Sequence, residues 1–325
     1  MDEDNRMKPE LWENAPWLQK NAEEINEARK SRETDDPFDV LFYDSIAIKL
    51  SHRFIKAGVS ANSVTFLSLL FGVGGSILLY SPNRLIDLLG MAFIIFAAIL
   101  DCCDGQIARL TDTSSQLGRV LDGTVDILNF FAIYCVLGLR MMNEMIPFTG
   151  VKWGVFVWIP IIICIICHAD QARIADYYRG LHLFFLEGSN LSYMTRSEDL
   201  KEELASLKKD SPLFERLYRV FYLIYTRDQE RQTPRVQKLL KEIEKRDNTV
   251  SEEVSEAYIT QSRKYIRISG ALTYNIRTYG LFIAILFRVP VLYFIYVIIV
   301  LELVKVFVVI RYEAIARNVF NRFYQ

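Results

Sequence analysis

The sequence has few of the residues that build disulfide-rich or thiolate-metal proteins. Among 325 residues there are 5 cysteines and 3 histidines. The cysteines are odd in number and lie in apolar stretches, which argues against a disulfide framework. The formal net charge is −1, so no basic field indicates nucleic acid as a partner. Residues 1–36 are charged and polar without an apolar h-region, so we expect no signal peptide.

Long hydrophobic runs are what the sequence has in abundance. Hydrophobic residues make up 51% of the chain. They are concentrated in six segments that each approach the ~20 residues needed to cross a bilayer. These segments are roughly 64–80, 85–108, 118–139, 153–168, 269–287 and 290–311. The sequence therefore predicts an all-α, polytopic membrane protein with six transmembrane helices.

The charged residues divide the rest of the chain. We predict a polar N-terminal segment at 1–36, a membrane domain made of 37–185 and 266–315, and a C-terminal tail at 316–325. Between the fourth and fifth transmembrane helices, residues 186–265 are charged and mostly helical in pattern, which predicts a soluble helical insertion. Its role is open between regulation, oligomerisation and contact with the membrane surface.

An amphipathic helix is predicted directly before the first transmembrane segment. Apolar residues recur there at helical spacing, with basic residues between them. The apolar positions are Phe38, Phe42, Ile46, Leu50 and Phe54, and the basic ones are Lys49, Arg53 and Lys56. Such a helix suits the membrane interface, although packing of its apolar face on the protein itself fits the same pattern equally well.

The distribution of Lys and Arg predicts the orientation in the membrane. Arg84 is the only basic residue between the first two segments, whereas the opposite side carries the amphipathic helix and the charged insertion. The positive-inside rule places both termini in the cytoplasm. In a bacterium the protein would lie in the inner membrane, with the carboxylates described next facing the cytoplasm.

Four aspartates stand out because they lie at the ends of apolar segments. On a helix, Asp101 and Asp104 share one face, and Asp122 and Asp126 share another. Ionisable residues in membrane helices are usually functional. Convergent anions in a low-dielectric site repel one another unless cations neutralise them. All-oxygen ligands favour a hard divalent cation, Mg²⁺ or Mn²⁺, and two ions would suit four carboxylates.

These aspartates belong to a longer pattern. The spacing D-x2-D-G-x2-A-R-x8-G-x3-D-x3-D is met by Asp101, Asp104, Gly105, Ala108, Arg109, Gly118, Asp122 and Asp126. It resembles the signature of the CDP-alcohol phosphatidyltransferase family. The family often has Pro-Asn-x-(Ile/Val)-Thr before the first transmembrane helix, where this chain has Ala61 in place of the proline. We expect Asn62 to cap that helix.

The resemblance implies a reaction and its residues. A phosphatidyl-type group would move from a CDP-activated lipid, usually CDP-diacylglycerol, to the hydroxyl of a small polar alcohol, with release of CMP. By position in the family motif, Asp101, Asp104 and Asp122 would bind metal. Asp126 would act as general base and also contact a metal.

The CDP group would be bound by the same part of the chain. Its predicted binding residues are Asp101, Asp104, Gly105, Ala108, Arg109, Gly118 and Asp122. For Arg109 a phosphate contact and an interfacial snorkelling cation are open alternatives. The resemblance also implies a homodimer in contact with membrane lipids.

The acceptor is less well marked by the sequence. Arg173, Arg179 and Arg277 lie near the predicted cytoplasmic ends of their helices, where they could bind a phosphate on the acceptor. This favours a polyol phosphate such as inositol phosphate or glycerol phosphate. Ordinary positive-inside charge explains any one of these arginines as well.

Two other functions compete with this prediction. An intramembrane prenyltransferase also binds a diphosphate through Mg²⁺ and aspartates, but with different spacing and without the Gly-Ala-Arg positions. A divalent-cation transporter would use the aspartates as a transport site. Transporters often contain internal repeats, whereas this chain has one aspartate cluster and no second copy.

Overall fold

The computed structural model describes residues 39–186, 195–207, 212–246 and 250–325. A π-helical turn, Asp39–Asp44, leads into helix α1, Ser45–Lys56. The later helices are, in order, α2 (Ala61–Leu78), α3 (Arg84–Leu110), α4 (Gln116–Met141), α5 (Trp158–Leu186), α6 (Ser197–Ser206), α7 (Leu213–Gln232), α8 (Pro234–Glu244), α9 (Glu252–Gly270), α10 (Tyr274–Leu286), α11 (Val291–Ile295) and α12 (Leu301–Phe323). A second π-helical turn, Tyr296–Val300, joins the last two. The described residues contain no named strand.

Five helical stretches are long and apolar enough to cross a membrane. They are Ala61–Leu78, Arg84–Leu110, Leu121–Met141, Gly154–Leu186 and Val291–Phe323. Their outer faces expose large apolar side chains such as Phe66 (59%) and Leu70 (54%), as expected of surfaces in contact with lipid. The prediction of an all-α polytopic membrane protein is confirmed.

The predicted count of six transmembrane helices is not confirmed. The segment predicted at 269–287 forms the thirteen-residue helix α10. At 1.5 Å per residue it is about 20 Å long, shorter than the ~30 Å hydrocarbon core. Two of the other helices are longer than their apolar runs: α5 continues to Leu186 and α12 to Phe323.

Polar side chains fix where three of the transmembrane helices begin. Ser60, Asn83 and Ser115 each have an extended backbone, and each accepts a hydrogen bond from a backbone N–H in the first turn of α2, α3 and α4, respectively. The prediction that Asn62 caps α2 was wrong by two residues. Ser60 accepts from the Ser63 backbone N–H, which puts Asn62 inside the first turn.

The chain divides into two compact units. The first contains the described residues up to Ile165 together with Tyr274–Tyr296. In it, α2 and α3 approach closely at two glycines. A Cβ on Gly75 would lie 2.7 Å from the Gly90 carbonyl oxygen, and one on Gly90 would lie 2.8 Å from that of Gly75. Small residues allow such close helix contacts in membranes.

A buried ion pair joins three helix ends of the first unit. The Arg140 guanidinium on α4 donates to the Asp87 carboxylate on α3 at 2.6 Å and to the Leu79 carbonyl oxygen after α2 at 2.8 Å. Arg140 is 7% exposed and Asp87 is 2% exposed. Because both charges are compensated, the pair is a structural feature of the bundle.

The second unit contains Ile166–Thr273 and Val297–Gln325. Its core includes stacked rings, with centroids 3.9 Å apart, in the pairs Tyr178–Tyr312 and Phe185–Tyr258. The charged insertion thus packs in one unit with the ends of two transmembrane helices. This division differs from the predicted one, which separated 186–265 from the membrane domain.

Candidate functional site at the carboxylate cluster

Two helix ends hold the aspartates of the motif. Asp101 and Asp104 lie in the last turns of α3, and Asp122 and Asp126 lie in the first turns of α4. A connection of only five residues, 111–115, joins the helices. Asp112 in this connection has a left-handed backbone with φ of 54°, and Ser115 then begins α4.

The structure brings three of these aspartates together. One carboxylate oxygen from each of Asp101, Asp104 and Asp122 lies within 4.8 Å of the other two. Asp104 is 4% exposed, and Asp101 and Asp122 are half-buried. Asp126 lies one turn beyond Asp122 and interacts electrostatically with Asp101, but it is not one of this close triad.

Several oxygens of the cluster are buried without a hydrogen-bond partner. In the described part of the chain these are Asp101 Oδ1, Asp104 Oδ2 and Asp126 Oδ1. An unsatisfied buried carboxylate oxygen is costly. Convergent oxygens at this spacing suit a hard divalent cation, which is bound by carboxylates and water. The residues present therefore fit a divalent metal ion.

The first turns of α2 also reach this site. Thr65 is 3% exposed and lies beside the Asp104 carboxylate, while its hydroxyl donates to the Ala61 carbonyl oxygen. The Asn62 side-chain oxygen lies 3.6 Å from where a Cβ on Gly118 would stand. The Asn62–Thr65 segment, treated in the sequence as the start of a helix, thus lines the carboxylate cluster.

The small residues of the motif have different surroundings. The Arg109 guanidinium lies 3.2 Å from where a Cβ on Gly105 would stand, so the space beside Gly105 accommodates that side chain. Gly123, next to Asp122, is exposed and has no atom within 4 Å of its hypothetical Cβ. Ala108 is half-buried. Gly123 therefore lies on the exposed surface of α4.

Sequence reasoning missed Asn129. This residue is 1% exposed, follows Asp126 by three positions on α4, and packs against Gly72 of α2. Neither its side-chain oxygen nor its nitrogen has a hydrogen-bond partner in the described part of the chain. A polar residue within the apolar run 118–139 was the available signal. The face it shares with Asp122 and Asp126 continues the polar stripe about 4.5 Å deeper into the bundle.

The three arginines predicted to bind the acceptor have unlike environments. Arg173 lies in the second unit and pairs with Asp170 on its own helix and with Asp228 on α7, the latter at 2.5 Å. Arg179, also in the second unit, is half-buried. Arg277 lies in the first unit, is 0% exposed, and interacts electrostatically with Tyr134, Tyr293 and Tyr296.

The paired charges around Arg173 form a wider network. Lys305 on α12 pairs with Asp170 at 2.5 Å and also with Glu302. Gln232 on α7 donates to Asp170 at 2.7 Å. These contacts fasten the insertion helix α7 to α5 and α12 within the second unit, which gives Arg173 a structural role.

Comparison with known proteins finds matches for the segment that carries the cluster. The family model for CDP-alcohol phosphatidyltransferase matches residues 59–175. A protein of Mycobacterium tuberculosis named putative cardiolipin synthase is 44% identical over 50 residues, 15% of this chain and 24% of the relative. A phosphatidylinositol phosphate synthase of Mycobacterium bovis is 27% identical over 92 residues, 28% of this chain and 42% of the relative.

A third relative, from Mycobacterium bovis, is named CDP-diacylglycerol–serine O-phosphatidyltransferase. It is 35% identical over 78 residues, 24% of each chain. The chain thus spans between about a quarter and a half of the length of the curated relatives it matches. The matched segment begins before α2 and contains the whole aspartate motif. Residues 59–175, which carry the carboxylate cluster, thus match the CDP-alcohol phosphatidyltransferase family model.

Proposed function

We propose that the protein transfers a phosphatidyl-type group from a CDP-activated lipid, CDP-diacylglycerol or a close analogue, to the hydroxyl of a small polar alcohol and releases CMP. The product would be a phospholipid or a related phosphodiester. The observation that carries this proposal is the convergence of Asp101, Asp104 and Asp122 within 4.8 Å at the end of two membrane helices. A diphosphate can bind beside these carboxylates only if cations neutralise the combined negative charge.

Asp101, Asp104 and Asp122 would hold one or two Mg²⁺ or Mn²⁺ ions, with Asp126 as a further ligand. When bound, these ions would neutralise the diphosphate and polarise the phosphorus that is attacked. The close triad supplies three oxygens for this purpose. One oxygen of Asp101 and one of Asp104 have no hydrogen-bond partner in the described part of the chain, which supports a bound ligand at this place.

Asp126 would act as the general base. Its carboxylate oxygen Oδ1 has no hydrogen-bond partner in the described part of the chain, so it can accept the proton of an incoming hydroxyl. As that proton moves to Asp126, the acceptor oxygen forms a bond to phosphorus. The bond between this phosphorus and the bridging oxygen breaks, and CMP leaves with that oxygen.

The CDP group would lie against the small residues of the motif. Gly105, Ala108 and Gly118 remain the proposed neighbours of the cytidine and phosphates. Arg109 is exposed and lies beside Gly105, where its guanidinium can contact a phosphate. Exposure at the end of α3 lets a water-soluble product leave from the membrane surface, on the cytoplasmic side by the positive-inside rule.

For the acceptor we propose a polyol phosphate, inositol phosphate or glycerol phosphate, with Arg179 and Arg277 as the residues to test. Arg173 is the weakest of the three predicted contacts, because two carboxylates already compensate its charge. The names of the relatives include inositol phosphate and serine products, so both acceptor types belong in the assay. We further propose that the protein acts as a homodimer.

The proposal is tested by measuring CMP release from CDP-diacylglycerol by the purified full chain in mixed micelles with Mg²⁺ or Mn²⁺. Acceptors are offered one at a time: inositol phosphate, glycerol phosphate, inositol, serine and phosphatidylglycerol. The lipid product is identified by mass spectrometry. We expect CMP release only with a divalent ion and with one acceptor. Uptake of divalent ions without CMP release, or use of a prenyl diphosphate, would contradict it.

A further inference from the structure

A stripe of exposed residues runs along α1 and the turn before it. It consists of Phe42, Ile46, Lys49, Arg53 and Lys56, and we call it the basic stripe. The spacing of four and three residues puts all five on one helix face. Phe42 and Ile46 are 40% and 41% exposed. In the described part of the chain, no carboxylate pairs with any of the three cations. The stripe thus has two apolar residues at one end and, at the other, three positive charges without a carboxylate partner among the described residues.

The opposite face of α1 is buried against α3. Ser51 donates to the Cys103 carbonyl oxygen at 3.3 Å and to the Gln106 side-chain oxygen at 3.2 Å. The Cys103 thiol donates to the Ala47 carbonyl oxygen at 3.4 Å, and the Gln106 amide donates to the Asp44 carboxylate at 3.2 Å. Packing of the helix on the protein and exposure of a stripe are therefore both present, on opposite faces.

These contacts place α1 at the end of α3. The partners Cys103 and Gln106 lie in the last two turns of α3, which ends at Leu110. Because α3 is long and apolar enough to cross a membrane, its end lies near the membrane surface, and α1 packs at that level.

We propose that the basic stripe binds the anionic phospholipid headgroups of the membrane in which the chain is embedded. Each Lys or Arg held near an anionic surface is attracted to it, and Phe42 and Ile46 can insert between headgroups. A second protein copy fits less well, since two apolar side chains cover far less than the roughly 800 Å² that each partner buries in a standard interface. The charge of the stripe and its place at the end of a candidate membrane helix together commit it to an anionic lipid surface.

The proposal has a consequence for the carboxylate cluster. Gln106, which is bonded to both Asp44 and Ser51, lies two residues from Asp104 on the same helix end. Binding of the basic stripe to lipid would therefore restrict the motion of the segment that carries Asp101 and Asp104. Ser51 and Gln106 are positioning residues in this scheme. This second part rests on the proposed transferase function, whereas lipid binding by the stripe does not.

The binding part is tested by hydrogen–deuterium exchange of the peptide covering residues 39–58. The full chain is placed in nanodiscs of phosphatidylcholine alone or with phosphatidylglycerol. In the wild type we expect exchange to slow by roughly tenfold or more when the anionic lipid is present. The triple variant Lys49→Gln, Arg53→Gln, Lys56→Gln should lose this response. A matched variant with Lys201→Gln, Arg235→Gln and Lys241→Gln, three exposed cations of the insertion, should keep it.

Four results would overturn the binding part. One is equal exchange in both nanodiscs, and another is a lipid response that survives in the α1 triple variant. The third is protection in neutral nanodiscs that disappears when the acidic residues 2–36 are deleted, because the occupant would then be the chain's own N-terminal segment. Protection that increases with protein concentration in detergent would instead indicate self-association and would equally reject lipid as the occupant.

The coupling part uses Ser51→Ala, which removes one hydroxyl and both of its bonds to α3. We expect this variant to keep the lipid-dependent protection of residues 39–58 and to lose most of the several-fold rise in CMP release that anionic lipid causes in the wild type. An unchanged rise in the variant would overturn the coupling. A wild type that shows lipid-dependent protection but no CMP release in any nanodisc would reject the proposed function and leave the lipid-binding proposal standing.

Discussion

Replacing Asp122 by asparagine should stabilise the protein when divalent ions are removed. At the 4.8 Å limit between cluster oxygens, two unit charges repel by about 3.5 kcal/mol at an effective dielectric constant of 20. Asp122 takes part in two such pairs, with Asp101 and with Asp104. Protonating an aspartate of ordinary pKa at pH 7 costs about 4 kcal/mol and would relieve the same repulsion. The gain in stability from the substitution therefore cannot exceed about 4 kcal/mol. We expect the free energy of unfolding to rise by ~1–4 kcal/mol in chelator.

The same change should abolish the stabilisation that divalent ions give to the wild type. An ion present at a hundred times its dissociation constant adds about 2.7 kcal/mol to the stability of a protein that binds it only when folded. The order of stability should therefore reverse: the variant melts higher in EDTA, and the wild type melts higher in Mg²⁺. For a domain of 150–250 residues 1 kcal/mol corresponds to about 2–4 °C, so shifts of a few degrees are expected.

The assay is thermal unfolding of the detergent-solubilised chain, read by tryptophan fluorescence, in EDTA and across a Mg²⁺ titration. Asp112→Asn is the matched control. Asp112 is exposed in the connection between α3 and α4, and its left-handed backbone is one that asparagine also adopts readily. This control should melt like the wild type in both conditions. A lower melting temperature for Asp122→Asn in EDTA, together with an intact response to Mg²⁺, would refute the assignment of a repulsive, ion-binding cluster.

Three further predictions concern the same unit. Asp126→Asn should lower CMP release by a factor of about 10²–10⁴ and reduce Mg²⁺ stabilisation only in part, because the close triad of Asp101, Asp104 and Asp122 remains; full activity would reject Asp126 as the base. Arg140→Leu should cost ~3–5 kcal/mol in urea unfolding because Asp87 is left as an uncompensated buried charge, and adding Asp87→Leu should recover much of the loss. Gly72→Ala should destabilise, since its Cβ would lie 2.2 Å from the Asn129 side-chain oxygen, and Asn129→Ala should relieve that clash in the double variant.

The sequence was sufficient to predict an all-α membrane protein, but not the number of its transmembrane helices. Apolar runs of about 20 residues have one stable arrangement in lipid, the helix, because backbone groups must bond within the segment. Helical spacing then determines that Asp101 and Asp104 share a face. A helix, α1, lies where the amphipathic helix was predicted, but two of its apolar residues, Phe42 and Ile46, are exposed while Ser45 and Ser51 are buried.

What spacing could not predict is which helices meet. Thr65 reaches Asp104, and Asn62 approaches Gly118, only because the first turns of α2 lie between the ends of α3 and α4. The pairing of Arg173 with Asp228 likewise joins residues that are 55 positions apart, so the sequence could not indicate that its charge was already compensated. Asn62 was predicted as the helix cap, whereas Ser60 is the cap in the structure. Both are good capping residues, and only the backbone conformation decides between them.

The polar residues of the membrane helices fall into two groups, and the difference is physical. Asp87 has Arg140, and Asp170 has Lys305 and Arg173, so each of these carboxylates is matched by a positive charge and contributes to packing. The cluster of Asp101, Asp104 and Asp122 instead gathers like charges and leaves buried oxygens without partners. An arrangement that lowers stability without a ligand persists only if something absent from the polypeptide compensates it. The carboxylates that are gathered together and leave buried oxygens without a partner among the described residues are therefore the ones that we propose bind a divalent ion.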